Sequence, residues 1–364
     1  MQRMPSYLRL DAGDPAPTFV QRSPSNPRYT FDTAAGRYLV LALLPGAETP
    51  EGHAALGAVA ARRGLFDDRF ASLFVATADA ADEAAGRPGN SLPGIRCLWD
   101  GDRTVARLYG AAPAEGEGTF LPRLVVIDPT MRVIEVAPLS GDAADAGAAL
   151  DRLARLPPPE RFAGFEIQAP VLFLPRVFEP DLCALLIAAY EAQGGEVSGF
   201  MREEGGRTVG VHDQRHKSRR DVTVTDPALV AAINDRIRRR VVPEIAKAHQ
   251  FRVTRMERYL IGCYDAGEGG HFAPHRDNTT PGTAHRRFAV SVNLNDDFEG
   301  GEVSFPEYGP RGLKAPPGGA VVFSCSLLHA VSRVTRGRRY AFLPFLYDEA
   351  AAAVRDANRG SLSA

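Results

Sequence analysis

Three consecutive prolines, Pro157 to Pro159, divide the chain into two stretches that cannot belong to one continuous element. Proline has no backbone N–H and a fixed φ, so the alanine-rich amphipathic run Asp142 to Leu156 must end as a helix where they begin. Three in a row extend as a stiff, polyproline-type spacer. The pattern predicts a domain junction over 157–168, and 364 residues is a length that suits two domains. The expected layout is a tail over 1–12, a first domain over 13–156, a second over 169–349, and a tail over 350–364. The stretch after Asp348 is small and polar and reads as a short or frayed helix.

The two stretches differ in periodicity. Before the prolines, Tyr38 to Leu44 is a continuous apolar run of strand length, and Leu73 to Ala76 and Leu124 to Ile127 repeat it. Such runs fit strands buried on both faces, while alanine-rich segments between them, such as His53 to Arg63, fit helices. An α/β sandwich is expected. After the prolines come two helices, Pro180 to Gln193 and Pro227 to about Val242. The second has Asp226 as N-cap and Leu229, Ile233 and Ile237 on one face. From Arg252 onward short apolar segments alternate with Gly, Pro, Asn and Asp turns: Tyr259 to Tyr264, Phe288 to Leu294, Glu302 to Phe305, Ala320 to Ser324 and Tyr340 to Tyr347. That punctuation predicts a β-sandwich or jelly roll covered by helices.

Composition narrows the function classes. Lys and Arg total 43 against 44 Asp and Glu, a net charge of −1, which argues against a nucleic-acid surface or an anionic membrane as partner. The four cysteines, Cys97, Cys183, Cys263 and Cys325, are widely spaced with no CxxC pair, so neither a disulfide framework nor a structural zinc site is expected, and a cytoplasmic setting fits. The first residues hold no apolar signal segment, and no stretch approaches a membrane span.

The chemistry concentrates in two segments, 262–278 and 327–342. His275 and Asp277 are two apart, so on an extended strand end both side chains project to one side. His329 follows 54 residues later on another expected strand. Two imidazoles and one carboxylate bind one face of an octahedral Fe(II) and leave three positions for a chelating α-keto acid and O₂. Arg339, ten residues after His329, can hold a remote carboxylate bidentately. Tyr264 adds a hydroxyl. Along Phe288 to Leu294 the small and polar face carries Asn293, a candidate donor to the cosubstrate.

These residues resemble the prolyl 4-hydroxylase branch of the Fe(II)/2-oxoglutarate dioxygenases over 169–349. The family pattern falls on Tyr264, Gly267, Phe272, His275, Asp277, Gly300 to Glu302, His329 and Arg339. The resemblance implies a double-stranded β-helix (jelly roll) with His275, Asp277 and His329 as Fe(II) ligands. It implies Arg339, with Tyr264 and Asn293, around 2-oxoglutarate, O₂ as oxidant, and ascorbate as an auxiliary reductant. Succinate and CO₂ are the implied co-products, and a prolyl or other amino-acid residue, free, peptidyl or carrier-bound, the implied substrate. Related halogenases carry a small residue where Asp277 stands, so hydroxylation is the implied reaction.

Residues 13–156 resemble the peroxiredoxin branch of the thioredoxin fold. The resemblance rests on Gly13 to Phe19, Asp100 to Gly110, and Pro122 to Asp128, which includes Arg123. The family's nucleophile sits in Pro-x-x-x-Thr-x-x-Cys. Counting from Pro45 and Thr49, that position is Gly52, which has no thiol to attack a peroxide. Cys97 lies in the strand-like segment Ile95 to Trp99 and reads as a core residue. The domain is therefore expected to be a non-catalytic scaffold that docks a partner or substrate, and the resemblance implies a homodimer. An alternative reading is a redox-linked interaction or sensor protein with a metal-binding jelly roll, which need not consume 2-oxoglutarate. The basic run Val211 to Asp221, holding His212 and His216, is expected to be a mobile lid or a solvated loop. His271 is expected outside the ligand set, His285 and His249 on the surface, and His53 at a helix start.

Overall fold

The computed structural model describes residues 5–361. It divides into two compact units, one through Gln168 with Pro306–Pro310, and one from Ala169 comprising the remainder.

The first unit holds strands β1 (Val20–Ser23), β2 (Asn26–Thr30), β3 (Tyr38–Leu44), β4 (Ala71–Thr77), β5 (Ile95–Trp99), β6 (Arg123–Ile127) and β7 (Val133–Pro138). Its helices are α1 (Pro50–Ala61), α2 (Ala80–Ala85), α3 (Thr104–Leu108) and α4 (Ala143–Leu153). The sheet runs β2-β1-β5-β4-β3-β6-β7, parallel where β3, β4 and β5 meet. Every residue of β3 and β4 is buried, as their uninterrupted apolar runs require. This is the thioredoxin-like α/β arrangement.

Helix α1 starts at Pro50, three residues before the expected start. Thr49 caps it, its Oγ1 accepting from the Gly52 N–H at 3.1 Å. His53 is thus an exposed residue inside the helix. Gly52 is enclosed: a Cβ there would lie 2.2 Å from the Gly46 carbonyl oxygen and 2.7 Å from that of Ala47. Arg123 donates to the carbonyls of Leu121 (3.1 Å) and Tyr109 (3.4 Å). Cys97 is buried, and burial pushes its thiol up to about 12. Restoring the missing nucleophile as Gly52→Cys is therefore expected to give no peroxide consumption and to destabilise the unit by about 2–3 kcal/mol, the cost of forcing atoms into a filled space. Thermal melting and a peroxide-consumption assay check this; a stable, active variant would contradict it.

The second unit contains strands β8 (Leu172–Leu174), β9 (Glu196–Val197), β10 (Phe200–Glu204), β11 (Arg207–Val211), β12 (Lys217–Ser218), β13 (Arg220–Thr223), β14 (Arg255–Glu257) and β15 (Leu260–Asp265). After them come β16 (His271–His275), β17 (Phe288–Asn293), β18 (Val303–Ser304), β19 (Gly312–Leu313), β20 (Ala320–Ser324), β21 (His329–Val331), β22 (Arg338–Phe342) and β23 (Phe345–Tyr347). The helices are α5 (Pro180–Gln193), α6 (Pro227–Arg240), α7 (Val242–His249) and α8 (Glu349–Ala357). A major antiparallel sheet has the order β14-β23-β17-β22-β15-β13-β9, with β20 and β8 branching from β17, and a minor one runs β12-β16-β21-β18-β19. Ile233, Ile237 and Ile245 from α6 and α7 share a core with Leu186 of α5 and with Ile261, Val292 and Phe342 of the major sheet. The result is a helix-backed jelly roll.

The single strand expected over Tyr340 to Tyr347 is two, β22 and β23, because Pro344 lies between them and cannot donate to a ladder. Glu302 to Phe305 pairs only at Val303–Ser304. Helix α7 and the β10–β11 hairpin lie where no element was expected. No helix among the described residues is long and apolar enough to cross a membrane.

Candidate metal centre

Strands β16 and β21 are antiparallel, and His275 faces His329 directly across the ladder. Directly opposed residues share a face of a sheet, so the two rings lie together, their centroids 4.2 Å apart. Asp277 follows the end of β16, its N–H donating to the Cys325 carbonyl at 3.0 Å. This anchor turns the carboxylate toward both rings: Asp277 Oδ1 is 3.6 Å from His275 Nε2 and Oδ2 is 3.4 Å from His329 Nε2. One donor atom from each residue lies within 4.8 Å of the others.

The tautomers are fixed by the backbone. Nδ1 of His275 lies 2.8 Å from the Ala273 carbonyl and Nδ1 of His329 lies 3.0 Å from the Leu327 carbonyl. A carbonyl only accepts, so each Nδ1 carries the proton and each Nε2 presents a lone pair to the centre. Burial, with His275 nearby, pulls His329 down to about 4, which keeps it neutral at pH 7. Burial alone would raise the Asp277 carboxyl, but the adjacent histidines hold it well below the usual carboxylate range. Two imidazoles and one carboxylate, converging on one point, fit Fe(II).

Arg339, with only 1% of its surface exposed, lies over the ring of Tyr264, 5.2 Å from its centroid, and Tyr264 shares a core with Phe272, which stacks on His275. Register puts Arg339 opposite Tyr264 across β22–β15, and Ala341 opposite both Gly262 and Asn293. Its Nε donates to Asn293 Oδ1 at 3.0 Å and its Nη2 to Ser291 Oγ at 2.8 Å. Nη1 is buried without a hydrogen-bond partner, and no carboxylate among the described residues forms an ion pair with Arg339. Burial lowers its pKa. A buried cation lacking a counter-ion is costly, so the site is built for an anion that supplies one, as a dicarboxylate cosubstrate does.

The structure modifies several expectations. The oxygen of Asn293 accepts from Arg339 and one of its two amide N–H groups donates to the Ala315 carbonyl at 2.8 Å, so it holds Arg339 in place and keeps a second N–H to donate. The Tyr264 hydroxyl accepts from Arg219 Nη1 at 3.3 Å, which leaves its own proton to donate. The run Val211 to Asp221 is neither lid nor solvated loop over its second half. Lys217, Ser218 and Arg219 are buried, and β12 and β13 join the two sheets. His216 lies between Phe200 and Phe272, with ring centroids 4.3 and 5.6 Å away, while His212 is exposed. Both ring nitrogens of His271 meet backbone carbonyls, outside the ligand set, and His249 is exposed.

His285, expected on the surface, is 2% exposed and its Nε2 lies 2.9 Å from Glu257, because the loop carrying it turns inward beside β14. Glu257 also takes Arg286 at 2.8 Å. Burial opposes ionisation of Glu257, but His285 and Arg286 outweigh it and hold the carboxyl at about 2. Its folded pKa lies below the ordinary value of about 4.3. Its stabilisation is thus complete above that value and lost as pH falls toward 2, a change of at most about 3 kcal/mol. Denaturant titrations should show the gap between wild type and Glu257→Gln constant above about pH 5 and narrowing as pH falls from there toward 2; a constant gap over that range would contradict this.

An antiparallel jelly roll with a converging His-Asp-His cluster and a buried, unneutralised arginine defines a non-haem iron oxygenase class. In agreement, residues 259–347 match the 2OG-Fe(II) oxygenase superfamily, and residues 12–136 match the AhpC/TSA family. The chain joins an AhpC/TSA domain to a 2OG-Fe(II) oxygenase domain. A PKHD-type hydroxylase of Cupriavidus metallidurans is 39% identical over 95 residues, which are 23% of this chain and 42% of that protein. The chain spans about two fifths of the length of the curated relatives it matches. Among solved structures, a viral collagen prolyl hydroxylase from Paramecium bursaria Chlorella virus-1 aligns with 16% identity, 49% of this chain, 96% of that one and a TM-score of 0.37. A thiol peroxidase from Chromobacterium violaceum aligns with 20% identity, 41% of this chain, 88% of that one and a TM-score of 0.32.

Proposed function

We propose that the protein is an Fe(II)- and 2-oxoglutarate-dependent hydroxylase acting on a C–H bond of a prolyl or other amino-acid residue. The observation that carries this reading is the convergence of His275, Asp277 and His329, in a unit that also buries a guanidinium with one unpartnered nitrogen. The hydroxylase names of the relatives support it. When bound, Fe(II) with 2-oxoglutarate supplies O₂ activation and C–H hydroxylation, releasing succinate and CO₂.

The chain's own residues set the geometry. His275, Asp277 and His329 offer three donors on one side of the metal position and leave the other side free. Arg339, fixed by Asn293 and Ser291, orients the far carboxylate of the cosubstrate, and Tyr264 donates its hydroxyl proton to the same molecule. Residues with small side chains, Ala289, Ser291, Gly262 and Ala341, alternate onto this face. The phenyl ring of Phe272 stacks on His275 at 3.5 Å and shields it from water.

The first unit, in this reading, is a scaffold without a peroxidatic thiol. All four cysteines are buried, and burial raises each thiol. A direct test is succinate formation from 2-oxoglutarate by the full chain with and without Fe(II). Iron-dependent succinate is the expected result; a folded, iron-loaded protein that produces none would overturn the reading.

A further inference from the structure

The oxygenase cavity holds a second cationic feature, separate from Arg339. Arg219 donates to both oxygens of Asp221, at 2.6 and 2.7 Å, and Ser198 also bonds that carboxylate. Lys217 is satisfied too, giving its Nζ to Ser198 and the Gly199 carbonyl, each at 2.6 Å. Arg258 is different. Its sole carboxylate neighbour among the described residues is this same Asp221, at 3.6 Å, and none of its nitrogens donates a hydrogen bond. Two guanidiniums thus share one carboxylate that Arg219 already occupies, and that of Arg258 is surplus.

Its placement is specific. Arg258 has φ +63°, a backbone conformation that L side chains rarely adopt. Its guanidinium lies over the face of Phe345 at 5.6 Å, and Arg286 lies over the same ring at 4.0 Å while donating to the Asp277 carbonyl at 3.4 Å. The Arg258 side chain is 32% exposed, so solutes can reach it, and Arg286, which shares the Phe345 ring with it, reaches the backbone of Asp277. Arg339 packs on the ring of Tyr264, whose hydroxyl accepts from Arg219, and Asp221 links Arg219 to Arg258.

We propose that Arg258 binds a carboxylate of the organic substrate, so that the enzyme acts on an acid and not on an internal residue of a protein. A guanidinium with its whole fork unspent, backed by an aromatic face, matches a planar carboxylate bidentately. The carboxylate belongs either to a free amino acid or to the C-terminal residue of a peptide. This inference rests on the oxygenase reading above.

The test is succinate formation by the full chain with Fe(II), O₂ and 2-oxoglutarate. The twenty free L-amino acids, their carboxamides and the matching Gly-X dipeptides are each added. At least one acid or dipeptide is expected to stimulate turnover fivefold or more, with its amide tenfold or more weaker. Arg258→Gln should raise the KM for that acid thirtyfold or more with a smaller effect on kcat, and Arg258→Lys should recover part of the loss. Which of the two sources is used follows from whether the free acid or the dipeptide is preferred. Amides as effective as acids, an unchanged KM in Arg258→Gln, or no stimulation by any acid or dipeptide would each overturn the inference. The acid–amide comparison in the wild type stands even if the variant does not fold. Anaerobic titration of the iron-loaded protein with 2-oxoglutarate separates the two failures. No charge-transfer band in the wild type means the oxygenase reading has failed. A band without acid preference means only this inference has.

Discussion

His275→Ala is expected to abolish iron-dependent 2-oxoglutarate turnover while leaving the protein folded. The remaining donors, Asp277 and His329, would hold the metal at two points instead of three. Losing only an outer hydrogen-bond partner of a metal ligand costs about 10–100-fold in affinity or activity, so losing the ligand itself must cost more. The fold should tolerate the change because β16 remains paired with β12 and β21 through its backbone, and truncation at a strand end removes contacts chiefly with Phe272 and His329. Iron content after gel filtration, together with succinate formation, checks this. Wild-type iron loading and turnover in the variant would show that the cluster is not the metal centre.

Arg339→Gln is expected to weaken 2-oxoglutarate binding while leaving Fe(II) binding nearly unchanged. Removing one partner of a buried, hydrogen-bonded charge pair costs about 2–5 kcal/mol, which is at least about thirtyfold in affinity. The same change removes a buried cation that lacks a counter-ion in the ligand-free chain, which offsets the lost bonds to Asn293 and Ser291. Stability without ligand should therefore change much less than affinity. Added 2-oxoglutarate should raise the melting temperature of the wild type far more than that of the variant, because stabilisation follows ligand affinity. A variant stabilised by 2-oxoglutarate as much as the wild type would contradict the role of Arg339.

Much of this site is legible in the primary structure because its parts obey local periodicity. His275 and Asp277 share a face by strand alternation, and β17 displays Ser291 and Asn293 inward by the same rule. Turns and prolines mark the element ends, and buried runs such as β3 and β4 declare themselves by composition. What pattern does not reveal is long-range register. That β16 aligns His275 with His329, and β22 aligns Arg339 with Tyr264, comes from tertiary pairing. That Asn293 also holds Arg339 and gives one N–H to Ala315, 22 residues away, is likewise set by the tertiary fold.

The segment 211–221 is the clearest failure of local reading. A dense basic run reads as solvated when judged by charge alone. Here alternate residues point inward across the junction of two sheets, and Asp221 pairs with Arg219 to make burial tolerable. His285 misleads in the same way, since only the fold brings Glu257 to it. The alternation of Lys217, Arg219 and Asp221 is the signal that could have shown them. Arg258 gives none, because nothing local reveals that its nearest carboxylate is already occupied.

The most direct test of the central claim is an anaerobic visible spectrum of the full chain loaded with Fe(II) and titrated with 2-oxoglutarate. A metal-to-ligand charge-transfer band that saturates near one equivalent per chain is the expected result, since the cosubstrate must chelate iron held by His275, Asp277 and His329. No band in a folded protein that binds one Fe(II) would contradict it.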